Sequence, residues 1–209
     1  MKCRQGNSDE VENYLSKLHD VVHTKTLSAD ALCAYQWAVA AYWIDREDFG
    51  AAQQALEEGL QNLEYLSAPS RVISHEWLAV CMYRQGLYGK AVETFYKALE
   101  DINRHNSQHD WCFIQVQWSN LEMSQMDIKS PTKRLSSIRE LLYSFKDNLV
   151  SALMQLSYSR LHTLRGDLPA AHTALTEAID LFERMGMRRE LAEAREELAR
   201  LEAQMAEEN

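Results

Sequence analysis

Proline and glycine are scarce, at 3 and 7 of 209 residues. So little turn material argues against a fold of many short strands and β-turns. Cysteine is thin as well. Cys3, Cys33, Cys81 and Cys112 lie far apart and form no Cys-x-x-Cys, which points to reduced, buried thiols rather than a disulfide framework or a zinc site. No stretch approaches the ~20 apolar residues of a membrane span. The opening MKCRQGNSDEVENY has no apolar core of the kind a signal peptide carries. A cytoplasmic location, with no membrane partner, is the expectation. Positive charge is short too: 22 Lys and Arg stand against 31 Asp and Glu, for a net charge of −9. The densest basic clusters are Lys133-Arg134 and Arg188-Arg189, so a phosphate backbone would be repelled and direct nucleic-acid binding is not expected.

The usual signatures of chemistry are missing. There is no Gly-rich phosphate loop, no G-x-S-x-G and no Cys/His nucleophile pattern. His19 and His23, and His105 and His109, stand four apart, a spacing that can place two imidazoles on one metal. No third ligand is evident beyond Asp20 or Asp110, and they read as surface histidines. No catalytic residue, no metal and no cofactor is expected.

What is present is a repeat. A large apolar residue recurs at Phe49, Tyr88, Ile128 and Leu168, at spacings of 39, 40 and 40, and another at Leu56, Phe95, Leu135 and Leu175. A small residue recurs at Ala40, Ala79, Ser119 and Ser159, and an apolar one at Tyr42, Cys81, Leu121 and Leu161. Such a register suggests one helix-pair unit stacked four times. The turns fall at Arg46-Glu47-Asp48, Gln85-Gly86-Leu87, Met126-Asp127 and Arg165-Gly166-Asp167. Gly86 and Gly166 suit the left-handed conformation that ends a helix, and Asp48, Asp127 and Asp167 stand where they can cap the next one.

The fold class expected is all-α, a single domain over 1–209. It comprises an N-terminal tail and helix over 1–27, four helix-pair units over 28–186 and a C-terminal capping helix over 187–209. Asn7 or Ser8 is placed to cap the first helix, about 8–24, and Ser28 the next, about 29–46. In the third pair Ser130-Pro131 reads as a cap and first helical residue, so its second helix is expected near 131 with 127–130 as loop. Ile138 there replaces the small Gly59, Ala98 and Ala178, which predicts altered packing. At the end, Leu191, Ala194, Leu198, Leu201 and Met205 form a narrow stripe on a charged helix. It suits a cap over the last pair, or pairing with another helix as in a coiled coil, which leaves a homodimer open.

Tyr83-Arg84-Gln85-Gly86-Leu87-Tyr88-Gly89-Lys90-Ala91-Val92, with Phe95, Ala98 and Leu99, resembles the heart of a tetratricopeptide repeat. Arg165-Gly166-Asp167-Leu168 with Ala171, Leu175, Ala178 and Ile179 resembles it again, and Asp48-Phe49 with Ala52 and Leu56 resembles it with Glu47 replacing the turn glycine. The period is near 40, against about 34 in that family. The end of the chain is similar to the sensor arrays of bacterial LuxR-type regulators and signalling ATPases. The resemblance implies a right-handed superhelix whose first helices line a concave face that holds a protein or peptide. Transferred by register, that face comprises Trp37, Ala41 and Ile44; Ile73, Glu76, Val80, Tyr83 and Arg84; Phe113, Val116, Asn120 and Met123; and Leu156 and Arg160. Arg84 and Arg160 would orient the partner. The Lys/Asn clamp of chaperone-binding relatives is absent, because Trp37 with Ala41 and Glu76 with Val80 occupy its places.

The function expected is a non-enzymatic scaffold or adaptor that binds a helix or extended segment, in regulation or assembly. A regulatory domain sensing a small effector or signalling peptide, and a homodimeric structural adaptor, are the alternatives. A further way to be inert is for the N-terminal helix to fold back and fill the groove.

Overall fold

A computed structural model describes residues 8–24, 26–105, 107–142 and 147–207, with the side chains of residues 8–10, 23 and 103–105 left out. Among the described residues there are ten α-helices and no strand. They are α1 (Ser8–Thr24), α2 (Ala29–Asp45), α3 (Phe49–Gly59), α4 (Ala68–Arg84), α5 (Tyr88–His105), α6 (Gln108–Ser124), α7 (Lys129–Leu142), α8 (Asn148–Leu164), α9 (Leu168–Met185) and α10 (Arg188–Glu207). A short 3-10 turn, Leu63–Tyr65, follows α3. The fold is an all-α array of helix pairs: α2 with α3, α4 with α5, α6 with α7 and α8 with α9.

The sequence register marks the interior. Leu56, Phe95, Leu135 and Leu175 on the second helices, and Ala40, Ala79, Ser119 and Ser159 on the first, are all at most 2% exposed. A small residue on one helix lets the large side chain of its partner helix seat against the backbone. Each such Leu or Phe contributes about 2–3 kcal/mol of burial. Ile138 is fully buried, so the extra bulk goes into the interior.

The tight turns share one device. Glu47, Gly86, Met126 and Gly166 occupy the same register position, and all four are left-handed, with φ of 61°, 77°, 60° and 74°. Glycine adopts this region without penalty; Glu47 and Met126 do so at a cost. In three of the four turns the next helix is then capped by an aspartate; Leu87 holds that place before α5. Asp48 accepts a hydrogen bond from the Ala51 amide (2.9 Å) and Asp167 one from the Ala170 amide (3.2 Å). Asp127 accepts from the amides of Lys129 (2.8 Å) and Ser130 (3.3 Å). This last contact corrects the expectation for α7. The helix begins at Lys129, not near 131, because the Asp127 cap prevails over the Ser130-Pro131 signal.

The other helix starts follow the expectation. Ser28 caps α2 by accepting from the Ala31 amide, and α1 begins at Ser8. Asn7, Cys3 and Lys25 lie outside the described residues.

The contacts divide the chain into two compact units, Met1–Asp110 and Trp111–Asn209. The N-terminal unit holds α1 to α5 and the first turn of α6. There α1 packs on α2, with Glu12 accepting a hydrogen bond from the Tyr42 hydroxyl (2.6 Å) and pairing with Arg46 (3.4 Å). Asp30 on α2 accepts from the amide and hydroxyl of Ser67, the cap of α4, which ties the starts of two first helices together.

The C-terminal unit holds the rest of α6 and α7 to α10. Its last helix packs on α9. Ala194 and Leu201 are buried with Leu175, Ala178 and Phe182, while Leu191, Leu198 and Met205 pack alongside. The terminal stripe read from the sequence is therefore used within the chain, over the last pair.

Candidate interaction face on the first helices

In the N-terminal unit the face transferred by register runs along α2 and α4. On α4 the residues Ile73, Glu76, Val80 and Tyr83 recur at three, four and three residues, which puts them on one side of the helix. Ile73, Val80 and Tyr83 are half-buried, and so are Trp37 and Ile44 on α2; Ala41 and Arg84 are exposed. The apolar members of this stripe are thus neither sealed in the core nor fully in water.

Several of these side chains are held in place. The Trp37 indole donates to the Ser74 hydroxyl (2.8 Å), which also sits 3.1 Å from the Cys33 sulfur. The Tyr83 ring lies 6.1 Å from that of Tyr88, and the Arg84 guanidinium lies 4.7 Å over the Phe49 ring. Fixed rotamers reduce the entropy that binding must overcome.

Glu76 differs from its neighbours. It is 7% exposed, and among the described residues no hydrogen bond or ion pair reaches its carboxyl. Burial pushes its pKa well above the ordinary glutamate value, and the charge of Asp110 pushes it the same way.

The C-terminal unit buries most of the matching positions to a similar extent but fills them with different side chains. Val116, Met123 and Leu156 are buried in its core, and Phe113 is half-buried. Asn120 accepts a hydrogen bond from the Ser157 hydroxyl (3.0 Å). Arg160 pairs with Glu197 of α10, one contact being Nε to Oε2 at 3.3 Å. Its charge is already matched within the chain by Glu197, while the side chain stays partly exposed. Trp118 is buried under Arg134, which lies 3.9 Å from its ring and is held by Glu122 at 3.0 Å.

One further cleft opens in the N-terminal unit, about 720 Å³, lined by Gln61, Leu63, Glu64, Arg71, His75, Lys97, Glu100 and Asp101. Asp101 is buried and holds Arg71 (2.8 Å), and Arg71 also donates to the Leu66 carbonyl (2.6 Å). The His75 Nδ1 is buried, 3.6 Å from Asp101 and without a hydrogen-bond partner. Burial lowers the His75 pKa more than Asp101 raises it, which favours the neutral imidazole. The cluster reads as a structural brace between α4 and α5.

The three described thiols, Cys33, Cys81 and Cys112, are free and buried. Burial raises Cys81 to about 12 and Cys112 to about 11, so neither is a nucleophile at neutral pH. Among the described residues no group of three His, Cys, Asp or Glu side chains could hold a metal ion. His19 is exposed, 3.2 Å from the Tyr35 hydroxyl; the side chains of His23 and His105 lie outside the described residues. Among the described residues no helix is long and apolar enough to cross a membrane.

The fold has counterparts among solved structures. One is a STAND protein (Signal Transduction ATPase with Numerous Domains) with a tetratricopeptide repeat sensor from Pyrococcus horikoshii. It matches at 16% identity and a TM-score of 0.61, over 96% of this chain and 32% of that one. This chain therefore spans about a third of that protein's length. Another is BtubC (BKLC) from P. vanneervenii, at 13% identity and a TM-score of 0.63, over 99% of this chain and 93% of that one. No family model and no curated protein matches the chain. The chain is a helical-repeat array. At such identities the likeness shows the fold and nothing finer.

Proposed function

We propose that the chain is a non-enzymatic scaffold or adaptor that holds a protein or peptide segment on the first-helix face of its N-terminal unit. The observation that carries this reading is the α2/α4 stripe, in which Trp37, Ile44, Ile73, Val80 and Tyr83 are only half-buried beside an exposed Arg84. Apolar and aromatic side chains in that state gain on being covered, and aromatics with an arginine commonly supply most of an interface's energy. A helix or extended segment fits such a stripe, with apolar anchors at helical or alternating spacing. The likeness to a protein with a tetratricopeptide repeat sensor supports a regulatory setting.

Sensing of a small effector is the second reading. The cleft between α4 and α5 is its candidate, but the arginine there is already taken by Asp101 and the imidazole is buried against the same carboxylate. A homodimer through α10 draws no support from the Leu191–Met205 stripe, which packs on α9. No catalytic role is proposed, and a cytoplasmic location remains part of the proposal.

Selecting randomised peptides on the full chain, then titrating a synthetic winner by calorimetry, tests the reading. Tyr83→Ala should weaken binding at least tenfold with the melting temperature nearly unchanged. An unaltered affinity would remove the face from consideration.

A further inference from the structure

The same face carries one largely buried carboxyl to which no described group is hydrogen-bonded. Glu76 stands at the centre of the α4 stripe, three residues after Ile73, four before Val80 and seven before Tyr83. Its flanking stripe members are apolar and half-buried, while Glu76 itself is more than nine-tenths buried. Burying an ionisable carboxyl without a donor is costly, and interiors normally supply one. Here the described chain supplies none, although the arginine five residues earlier on the same helix, Arg71, is fully engaged with Asp101 and the Leu66 carbonyl.

The charge that acts on Glu76 makes matters worse rather than better. Asp110, in the first turn of α6 and within the same compact unit, is a second carboxylate. The whole chain is acidic too, at −9. A group able to satisfy Glu76 must come from outside, must be a donor and is favoured if positive.

We propose that Glu76 is the specificity-determining group of this face, accepting a lysine or arginine side chain from the bound peptide segment. The occupant is thus a partner segment with one basic residue between apolar ones, which matches the Ile73–Glu76–Val80–Tyr83 order. Apolar contacts on Ile73, Val80 and Tyr83 exclude water around the pair, and the buried cation–carboxylate contact rejects segments with a neutral or acidic residue at that place. This rests on the scaffold reading and sharpens it by naming the partner's chemistry.

Parallel selection of one randomised 14-residue peptide library on the wild-type chain and on Glu76→Gln tests it. Wild-type winners should share a Lys or Arg at fixed spacing from two apolar residues, and that basic position should be lost from the Glu76→Gln winners. A synthetic wild-type winner should bind Glu76→Gln at least tenfold more weakly, and replacing its basic residue by norleucine should weaken it equally on the wild-type chain and not at all on Glu76→Gln. Winners without a basic residue, or equal affinity for both chains, would overturn the inference. If those winners still lose affinity on Tyr83→Ala, the scaffold reading stands alone. A library that yields no binder on the wild-type chain would overturn both.

Discussion

The two units bury their matching first-helix positions to much the same extent and differ in the chemistry placed there: Glu76, Val116 and Leu156 are all buried, and Val80, Asn120 and Arg160 are all half-buried. In the C-terminal unit Val116, Met123 and Leu156 are sunk into the core, Asn120 is bonded to Ser157 and Arg160 is paired with Glu197 of the last helix. In the N-terminal unit Trp37, Ile44, Ile73, Val80 and Tyr83 are half-buried, and Glu76 is buried with no donor among the described residues. One repeat pattern can therefore carry different chemistry at one degree of burial: a carboxyl at Glu76, aliphatic side chains at Val116 and Leu156. Terminal repeats must cover their own apolar surface, and α10 does so here with a stripe on one side and dense charge on the other. Its Glu197 also occupies the arginine that an incoming segment would otherwise meet.

The comparison can be broken most forcefully in the cores. Phe95 and Phe182 are fully buried second-helix residues, one in each unit. Phe95→Ala and Phe182→Ala should each cost about 3–5 kcal/mol in urea unfolding. If the units differ only in the chemistry of their first-helix positions, the two losses should be similar; a large disparity would show that their interiors differ too.

Next comes a dependence on pH. The folded-state pKa of Glu76 is raised, so the unfolded chain releases that proton at lower pH than the folded one. Its contribution to stability is present below the ordinary glutamate pKa and is lost as pH rises through the raised value. Glu76→Gln removes this loss. Its melting temperature relative to wild type should climb as pH increases from about 4.5 to 8, and a flat difference would mean that the carboxyl is matched after all. The equivalent residues of the C-terminal unit, Val116 and Leu156, carry no such slope.

Smaller effects sit in the turns and the terminal ion pair. Glu47→Gly and Met126→Gly should each stabilise by about 0.5–1 kcal/mol, since both residues hold φ near 60°. Gly86→Ala and Gly166→Ala should destabilise by a similar amount, readable as opposite shifts in thermal melts. Arg160→Ala should cost only about 0.5–1 kcal/mol, as expected of a part-exposed pair, and should leave peptide affinity unchanged.

The architecture was legible because its signals are local or periodic. The core positions follow a 39- and 40-residue register, and Ser28, Asp48, Asp127 and Asp167 cap helices where their side chains need only reach a few residues along the chain. The start of α7 was misjudged because two cap signals compete there, and the register-matched aspartate wins over the Ser130-Pro131 pair. The turn conformation could be read at Gly86 and Gly166; at Glu47 and Met126 only the register gives it away. The face was harder. Whether a first-helix residue is open depends on partners about one repeat away, such as Ser74 for Trp37 and Glu197 for Arg160, each 37 residues along. No local pattern encodes such pairings. The register places Glu76 on the face, but its burial without a donor among the described residues is a property of the packed helices alone.

Hydrogen–deuterium exchange of the full chain, with and without a selected peptide bound, tests the central claim most directly. Exchange should slow in α2 and α4, over 29–45 and 68–84, while α8 and α10 exchange as before. Slowing confined to the C-terminal unit, or no slowing along α4, would contradict the assignment of the open face.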